Sequence, residues 1–390
     1  MTELVKESLF RTGPAVPESP DAVLVGILRT KRAHGSVGDT NFRLWLHSHL
    51  ETLTGKKPII KAQGCIVVVT DPKSDTLFSC HIDTVHTVME SDGSVQDLAY
   101  DSAFGHIVLG QGSTSSCLGA DDGAGIYVML RMIMAKVPGT YVFHTGEEHG
   151  GVGSRALRSA EAPWLDSFSR AIAFDRAVQR QDSPEVICTQ GGQPCASLEF
   201  GQALVAELNK HSELFADDWV ISHKGSFTDT KVYSDIIPEC VNLGVFYAQQ
   251  HSKHEWLDVA HLESLVTAAC AIKWDDIKAV RKPVAVPKPS AKWEYQPKQS
   301  EFNYKKSSDY KKQQAAEDLY WESKLNSKAK MPNKAKGNSE FADLEGGNLT
   351  DYLMYFEEDP EAAATSVAKL LAKYKAACAE LEVLKDFMSM

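Results

Sequence analysis

No CxxC pair occurs in the chain, and its eight cysteines (65, 80, 117, 188, 195, 240, 270 and 378) are scattered. Several sit in apolar runs such as residues 65–69. This argues against a paired-thiol metal or redox motif and predicts buried, reduced thiols. No apolar run approaches the length of a membrane span, so no membrane partner is expected. The first six residues, Met1-Thr2-Glu3-Leu4-Val5-Lys6, lack the basic and then apolar pattern of a secretory leader. The expected location is therefore cytoplasmic. There is no internal repeat, which leaves a globular fold rather than a repeat array. Positive charge is scarce over most of the length. Residues 1–280 carry 23 basic against 35 acidic side chains, which argues against nucleic-acid binding by that part.

The remaining charge divides sharply. Residues 281–336 carry 14 basic and 6 acidic groups, and residues 337–390 carry 4 and 11. Over 281–340 Pro283, Pro287, Pro289 and Pro297 stand among Lys, Ser, Gln and Asn, the composition of a linker. Trp293, Tyr295, Phe302, Tyr304, Tyr310, Tyr320 and Trp321 interrupt it as candidate docking anchors. Over 341–390 the segment is acidic. Asp359 and Pro360 would open an amphipathic helix with Val367, Leu370, Leu371, Tyr374, Cys378, Leu381 and Leu384 in one stripe. The expectation is a partly disordered tail ending in a helix, placed to mediate association with itself or a partner, or to cap the body.

Within the body, helices are predicted over 21–32, from a cap at Asp39-Thr40 to Leu53, and over 126–134, with Asp121 or Asp122 as N-cap. Further helices are expected after the glycines at 150–153, within 193–211, and from 260 to about 280. Strands are predicted over 58–61, 65–70, 76–79, 140–143, 171–174, 186–188, 219–222 and, last, 241–246. Residues 98–101 and 106–109 read as a hairpin.

Metal-competent side chains recur where these strands end. In Cys80-His81-Ile82-Asp83 the His and the Asp share one face of a strand, so the Asp can hold the imidazole. In Gly119-Ala120-Asp121-Asp122-Gly123-Ala124-Gly125 a carboxylate sits at a loop-to-helix junction, where its two oxygens can bridge two ions. Glu147 and Glu148 follow the strand 140–143 and point in different directions, one for a metal and one for a water. Asp175 ends another strand, and His251 follows the last one. Each feature alone is explained by a helix cap or a solvated turn. Together His81, Asp121, Glu148, Asp175 and His251 supply two imidazoles and three carboxylates without thiolate, which suits two zinc-type ions with open positions. Glu147 then remains as general base for a water.

In this order the motifs His-x-Asp, Gly-Ala-Asp-Asp-x-Ala-Gly, Gly-Glu-Glu, Phe-Asp and His-x-x-x-Glu resemble those of the dinuclear zinc exopeptidases. That superfamily includes peptidase T, carboxypeptidase G, the acylamino-acid deacylases and the bacterial zinc aminopeptidases. The likeness covers about residues 76–258. It implies that His81, Asp121 and Asp175 hold one zinc, and that Asp121, Glu148 and His251 hold the other. It further implies that Asp83 orients His81, that Glu147 shuttles the proton, and that Gly225–Asp229 lines the site. His254 is the weaker candidate beside His251. Gly123 stands where many relatives carry Lys or Ser.

The implied fold is α/β, a mixed, mostly parallel central sheet with helices on both faces in a three-layer core. The implied catalytic domain spans 1–280. Only 75 residues separate Asp175 from His251, which leaves no room for the lid of peptidase T or carboxypeptidase G. An aminopeptidase using two divalent ions, most simply Zn²⁺, is the resulting expectation. Alternatives are an N-acyl-amino-acid amidohydrolase or carboxypeptidase with the same site, or a catalytically retired core that serves as a binding or structural protein. The substrate would be a peptide or an N-acyl amino acid.

Overall fold

Alternation of apolar side chains builds the central sheet. In a computed structural model, residues 20–178, 183–211 and 218–283 are described. Residues 284–390, which hold the expected linker beyond its first three residues, the acidic segment with the expected amphipathic helix, and Cys378, lie outside the described residues. Strands β1 (Ile59–Ile60), β2 (Ile66–Val69), β3 (Thr76–His81), β6 (Thr140–His144), β7 (Arg170–Arg176), β8 (Glu185–Ile187), β11 (Val220–Ser222) and β12 (Glu239–Gly244) form eight strands in the order β1-β2-β6-β3-β7-β12-β8-β11. Four of the seven neighbouring pairs are parallel, including β6-β3-β7-β12 at the centre. A second sheet joins β4 (Leu98–Asp101) and β5 (His106–Leu109) to β13 (Tyr247–Ala248) and β14 (Trp256–Asp258). The remaining pair, β9 (Thr189–Gln190) and β10 (Gln193–Pro194), is a short antiparallel ribbon.

Successive strand residues bury themselves on opposite faces. Phe78, Tyr141, Phe143, Ile172, Phe174, Val241 and Leu243 join one core cluster. Leu77, Val142, Ala171 and Cys240 join the other. The first face is covered by α1 (Ala22–Arg29), α2 (Val37–Thr54), α3 (Ala120–Met134), α5 (Leu198–His211) and α6 (Val259–Ala271). The second is covered by α4 (Val152–Leu165) and the 3₁₀ turn Asp229–Tyr233. Both faces of the central strands β3, β6 and β12 are therefore dry, as a parallel sheet requires. Seven cysteines are described as free thiols, six of them buried. Among the described residues no helix is long and apolar enough to cross a membrane.

Four sequence expectations shift. The cap of α2 is Ser36, whose hydroxyl accepts from Asp39 N–H, while the Asp39 carboxylate reaches back to Gly35 N–H. This reciprocal arrangement starts the helix earlier than Asp39 would. Strand β3 runs on to His81 because it pairs with β6 to its end. Strand 241–246 is not the last, since β13 and β14 follow it. Helix α6 stops at Ala271, where Ile272 turns extended and a 3₁₀ turn seats Trp274 in the core.

Phe78 packs at 4.9 Å from Tyr141 and 5.2 Å from Trp274 (ring centroids). Phe78→Ala is expected to lower unfolding stability by about 3–5 kcal/mol, read from the urea midpoint. A loss below about 1 kcal/mol would show that this cluster does not carry the core.

Candidate metal centre

The parallel order β6-β3-β7 brings three strand ends side by side. His81 closes β3, Glu147 and Glu148 follow β6, and Asp175 lies near the end of β7. This is the carboxyl edge where open α/β sheets bind ligands. Asp121 arrives from the opposite side, on the first turn of α3. His251 is delivered by the loop between β13 and β14.

Asp121 stands between the two imidazoles. Its Oδ1 is 3.0 Å from His81 Nε2, and its Oδ2 is 3.2 Å from His251 Nε2. Asp175 Oδ1 lies 3.7 Å from His81 Nε2, and Glu148 Oε1 lies 2.9 Å from His251 Nε2. Two triads result, His81/Asp121/Asp175 and Asp121/Glu148/His251, with the ligand atoms of each within 4.8 Å of one another. His81, Glu147 and Glu148 form a third such group. His254 is exposed and belongs to none of these groups.

The donors fit divalent cations. His81 Nδ1 is 2.9 Å from the main-chain oxygen of Asp83, which can only accept, so Nδ1 carries the proton. The Nε2 lone pair of a neutral ring then faces two carboxylate oxygens. That arrangement is repulsive unless a cation or a second proton intervenes. Burial alone would push the His81 imidazole down, but Asp121 and Asp175 outweigh it and hold its pKa well above the usual value. A ring held by a carbonyl at Nδ1 and aimed by Nε2 is the ordinary posture of a metal-ligating histidine.

The role of Asp83 differs from the sequence expectation. Its carboxylate is 3.9 Å from His81 Nδ1, beyond hydrogen-bond range. The main-chain carbonyl holds the ring instead. The carboxylate accepts from Glu147 N–H (3.1 Å) and Glu148 N–H (3.3 Å). It therefore pins the turn that sends the two glutamates apart.

Asp122 accepts from His81 N–H and from Gly125 N–H, so of the two candidates it is the one that caps the regular part of α3. Glu255 takes three N–H groups, from Leu118, Gly119 and Asp121, all at 2.9 Å. Burial first, and then the Asp121 charge, raise its pKa to about 7 against those three bonds. Phe246, Gln249 and His251 all have φ between 54° and 63°. Such left-handed backbone costs of order 1–3 kcal/mol per non-glycine residue and clusters at functional sites.

Other parts of the support were not read from the sequence. Tyr247 OH donates to Asp175 Oδ1 (3.1 Å). Asn242 bonds both main-chain groups of Asp175. Thr228, inside the segment expected to line the site, donates to Asp175 Oδ2 at 2.6 Å. Arg32, fully buried, donates to the carbonyls of Ile82 and Gly119 and so ties the His81 and Asp121 loops together. Burial lowers its pKa to about 10. Nothing in local spacing marks these residues, because their roles arise from strand register and loop packing.

Glu147 faces the cavity together with Asp121, Glu148, Asp175 and His251. The cavity measures about 390 Å³. Burial, with Asp175, Asp229 and Glu148 nearby and against the pull of His81, raises the Glu147 pKa well above the usual carboxylate range.

No protein-family model and no curated protein matches the chain. Among solved structures it is similar to the Pyrococcus horikoshii TET1 peptidase, at 14% identity and TM-score 0.49, over 64% of this chain and 98% of that one. It is also similar to aminopeptidase PepT from Bacillus cereus ATCC 10987, at 15% identity and TM-score 0.45, over 64% and 97%. The Legionella pneumophila LapA aminopeptidase matches at 15% identity and TM-score 0.46, over 65% and 68%.

Replacing Glu255 by Ala strands three buried N–H groups in the loop that carries Asp121. The expected result is a metal affinity lowered about 10–100-fold, measured by competition against a chelating dye. Wild-type affinity in that variant would show that Glu255 does not position Asp121.

Proposed function

We propose that the chain is a metal-dependent hydrolase with two divalent cations, most simply Zn²⁺, acting as an aminopeptidase. The observation that carries this reading is the placement of Asp121 with one oxygen toward His81 and the other toward His251. In this reading His81, Asp121 and Asp175 hold one ion, and Asp121, Glu148 and His251 hold the second. The bound ions would polarise a scissile carbonyl and ease the deprotonation of a water. Glu147 is the general base. Its carboxyl lines the same cavity, and Asp83 fixes its main chain. From that position the carboxyl can accept a proton from water and return it to a leaving amine.

The lining favours an amino terminus over a carboxylate. Four acids, Asp121, Glu147, Glu148 and Asp175, face the cavity. Arg176 also lines it, but its guanidinium is bonded to Glu185 Oε2 at 3.0 and 2.9 Å. A carboxypeptidase or an acyl-amino-acid amidohydrolase would need an uncommitted cation for the substrate carboxylate. Among the described residues between Asp175 and His251, β8, β11 and β12 pair in the main sheet, β9 and β10 form their own ribbon, and β13 pairs in the second sheet. A retired core that serves only for binding would not be expected to keep both triads and Glu147.

Glu147→Gln is expected to reduce turnover of free peptides by roughly 10²–10⁴-fold, with metal content by elemental analysis unchanged. Near-wild-type rates would remove Glu147 from its role. Peptides blocked at the amino group should be cleaved far more slowly than free ones, and the reverse preference would favour the deacylase reading. Purified protein with metal content near zero would sink the two-ion site.

A further inference from the structure

Three segments meet around Phe227, whose ring lines the cavity. The guanidinium of Arg155, from the first turn of α4, stands 5.6 Å from the ring centroid. The ammonium of Lys231, from the 3₁₀ turn Asp229–Tyr233, stands 5.9 Å from the same centroid. Two cations therefore share one ring, each close to the outer limit of about 6 Å for such contacts.

Neither cation has an anionic partner. Among the described residues the Arg155 side chain makes one hydrogen bond, from Nε to Gly150 O at 2.7 Å, and the Lys231 side chain makes none. Lys231 is half-buried, and a charge drawn partly out of water ordinarily gains a counter-charge for it. Its ammonium is not one of the sealed unpaired polar atoms, so solutes reach it. Gly191 leaves the space, since a Cβ there would lie 2.1 Å from Lys231 Nζ. Arg155 is exposed, and Gly150, to which it is tied, is also part of the cavity wall. Neither cation lines the cavity with the acids. Both stand at its edge, and not beside the metal-competent residues, where a carboxypeptidase needs its cation.

The cavity thus has acids in its lining and unanswered cations at its edge. A short peptide with two free ends carries the complementary pair of charges. At about 390 Å³ the cavity is near the small end of ligand sites, which suits a peptide of few residues.

We propose that Arg155 and Lys231 form a carboxylate-binding subsite beside Phe227, which takes the terminal carboxylate of a short peptide. The inference rests on the aminopeptidase reading above and narrows its substrates to short peptides with a free carboxyl end. With the amino end at the acids, that carboxylate belongs to the leaving portion. An acidic side chain would bring the same chemistry, and the test separates the two sources.

The test measures kcat/KM for trialanine, trialaninamide and glutamyl-alanyl-alaninamide. It uses the wild-type protein, Lys231→Met, Arg155→Met and Lys231→Arg, with metal content checked in each. Wild-type protein is expected to prefer trialanine to trialaninamide by about 10-fold or more, the scale of hydrogen bonds to a charged group. That preference should fall to about 2-fold or less in either Met variant. It should persist in Lys231→Arg, and in the wild type it should shrink as ionic strength rises. A preference for the glutamyl amide over trialaninamide that the Met variants abolish upholds the subsite and makes a side chain its source. No carboxylate preference in the wild type, or one that survives in both Met variants, overturns the subsite. Wild-type protein that holds its metal and cleaves none of the three overturns the peptidase reading, and this inference with it.

Discussion

Mutual repulsion among buried carboxylates is what the rest of the centre has to answer. Asp83, Asp121, Asp122, Asp229 and Glu255 are all buried, and Glu147, Glu148 and Asp175 lie partly buried beside them. Charges gathered where water is scarce raise one another's energy steeply. The fold answers with main-chain N–H groups. Asp83 takes two of them, Asp122 two and Glu255 three. Those seven bonds also join β3, the loop before α3 and the turn after β6. The acids that do not face the cavity are therefore the fasteners of the loops whose acids do.

Compensation is less complete for the group that faces the cavity. Asp121 and Glu148 meet imidazoles, and Asp175 meets Thr228 and Tyr247. Glu147 has only its main chain pinned, and its carboxyl answers to burial and neighbouring charge. The same imbalance sits beneath the sheet edge at Asp229, whose pKa burial raises to about 7, beside His144, which burial lowers to about 3. The candidate metal centre thus leaves part of its negative charge unanswered, and stability elsewhere offsets it.

The sheet and the candidate ligands were legible because their signals are local. Alternating apolar runs such as 140–143 announce a strand, and few residue types can bind a metal at its end. His81, Asp121, Glu148, Asp175 and His251 are brought together as the motif order implied. What was not legible depends on register. Tyr247 reaches Asp175 because β13 lies where it does, and β13 is a two-residue strand too short to show a period. The cap at Ser36 was missed because Ser36 and Asp39 are both ordinary cap residues three positions apart, and the reciprocal hydrogen bonds that select Ser36 are not visible in the sequence.

The two triads are not anchored alike. His81 and Asp175 belong to central strands of the main sheet, paired on both sides. His251 rides a hairpin of the small sheet, half exposed and in left-handed backbone. Proteins open in cooperative pieces of unequal stability, and exposed hairpins open more readily than central strands. A brief excursion of that hairpin takes one ligand from the second triad and none from the first. The two triads thus draw on elements of unequal exposure, with Asp121 as the residue common to both.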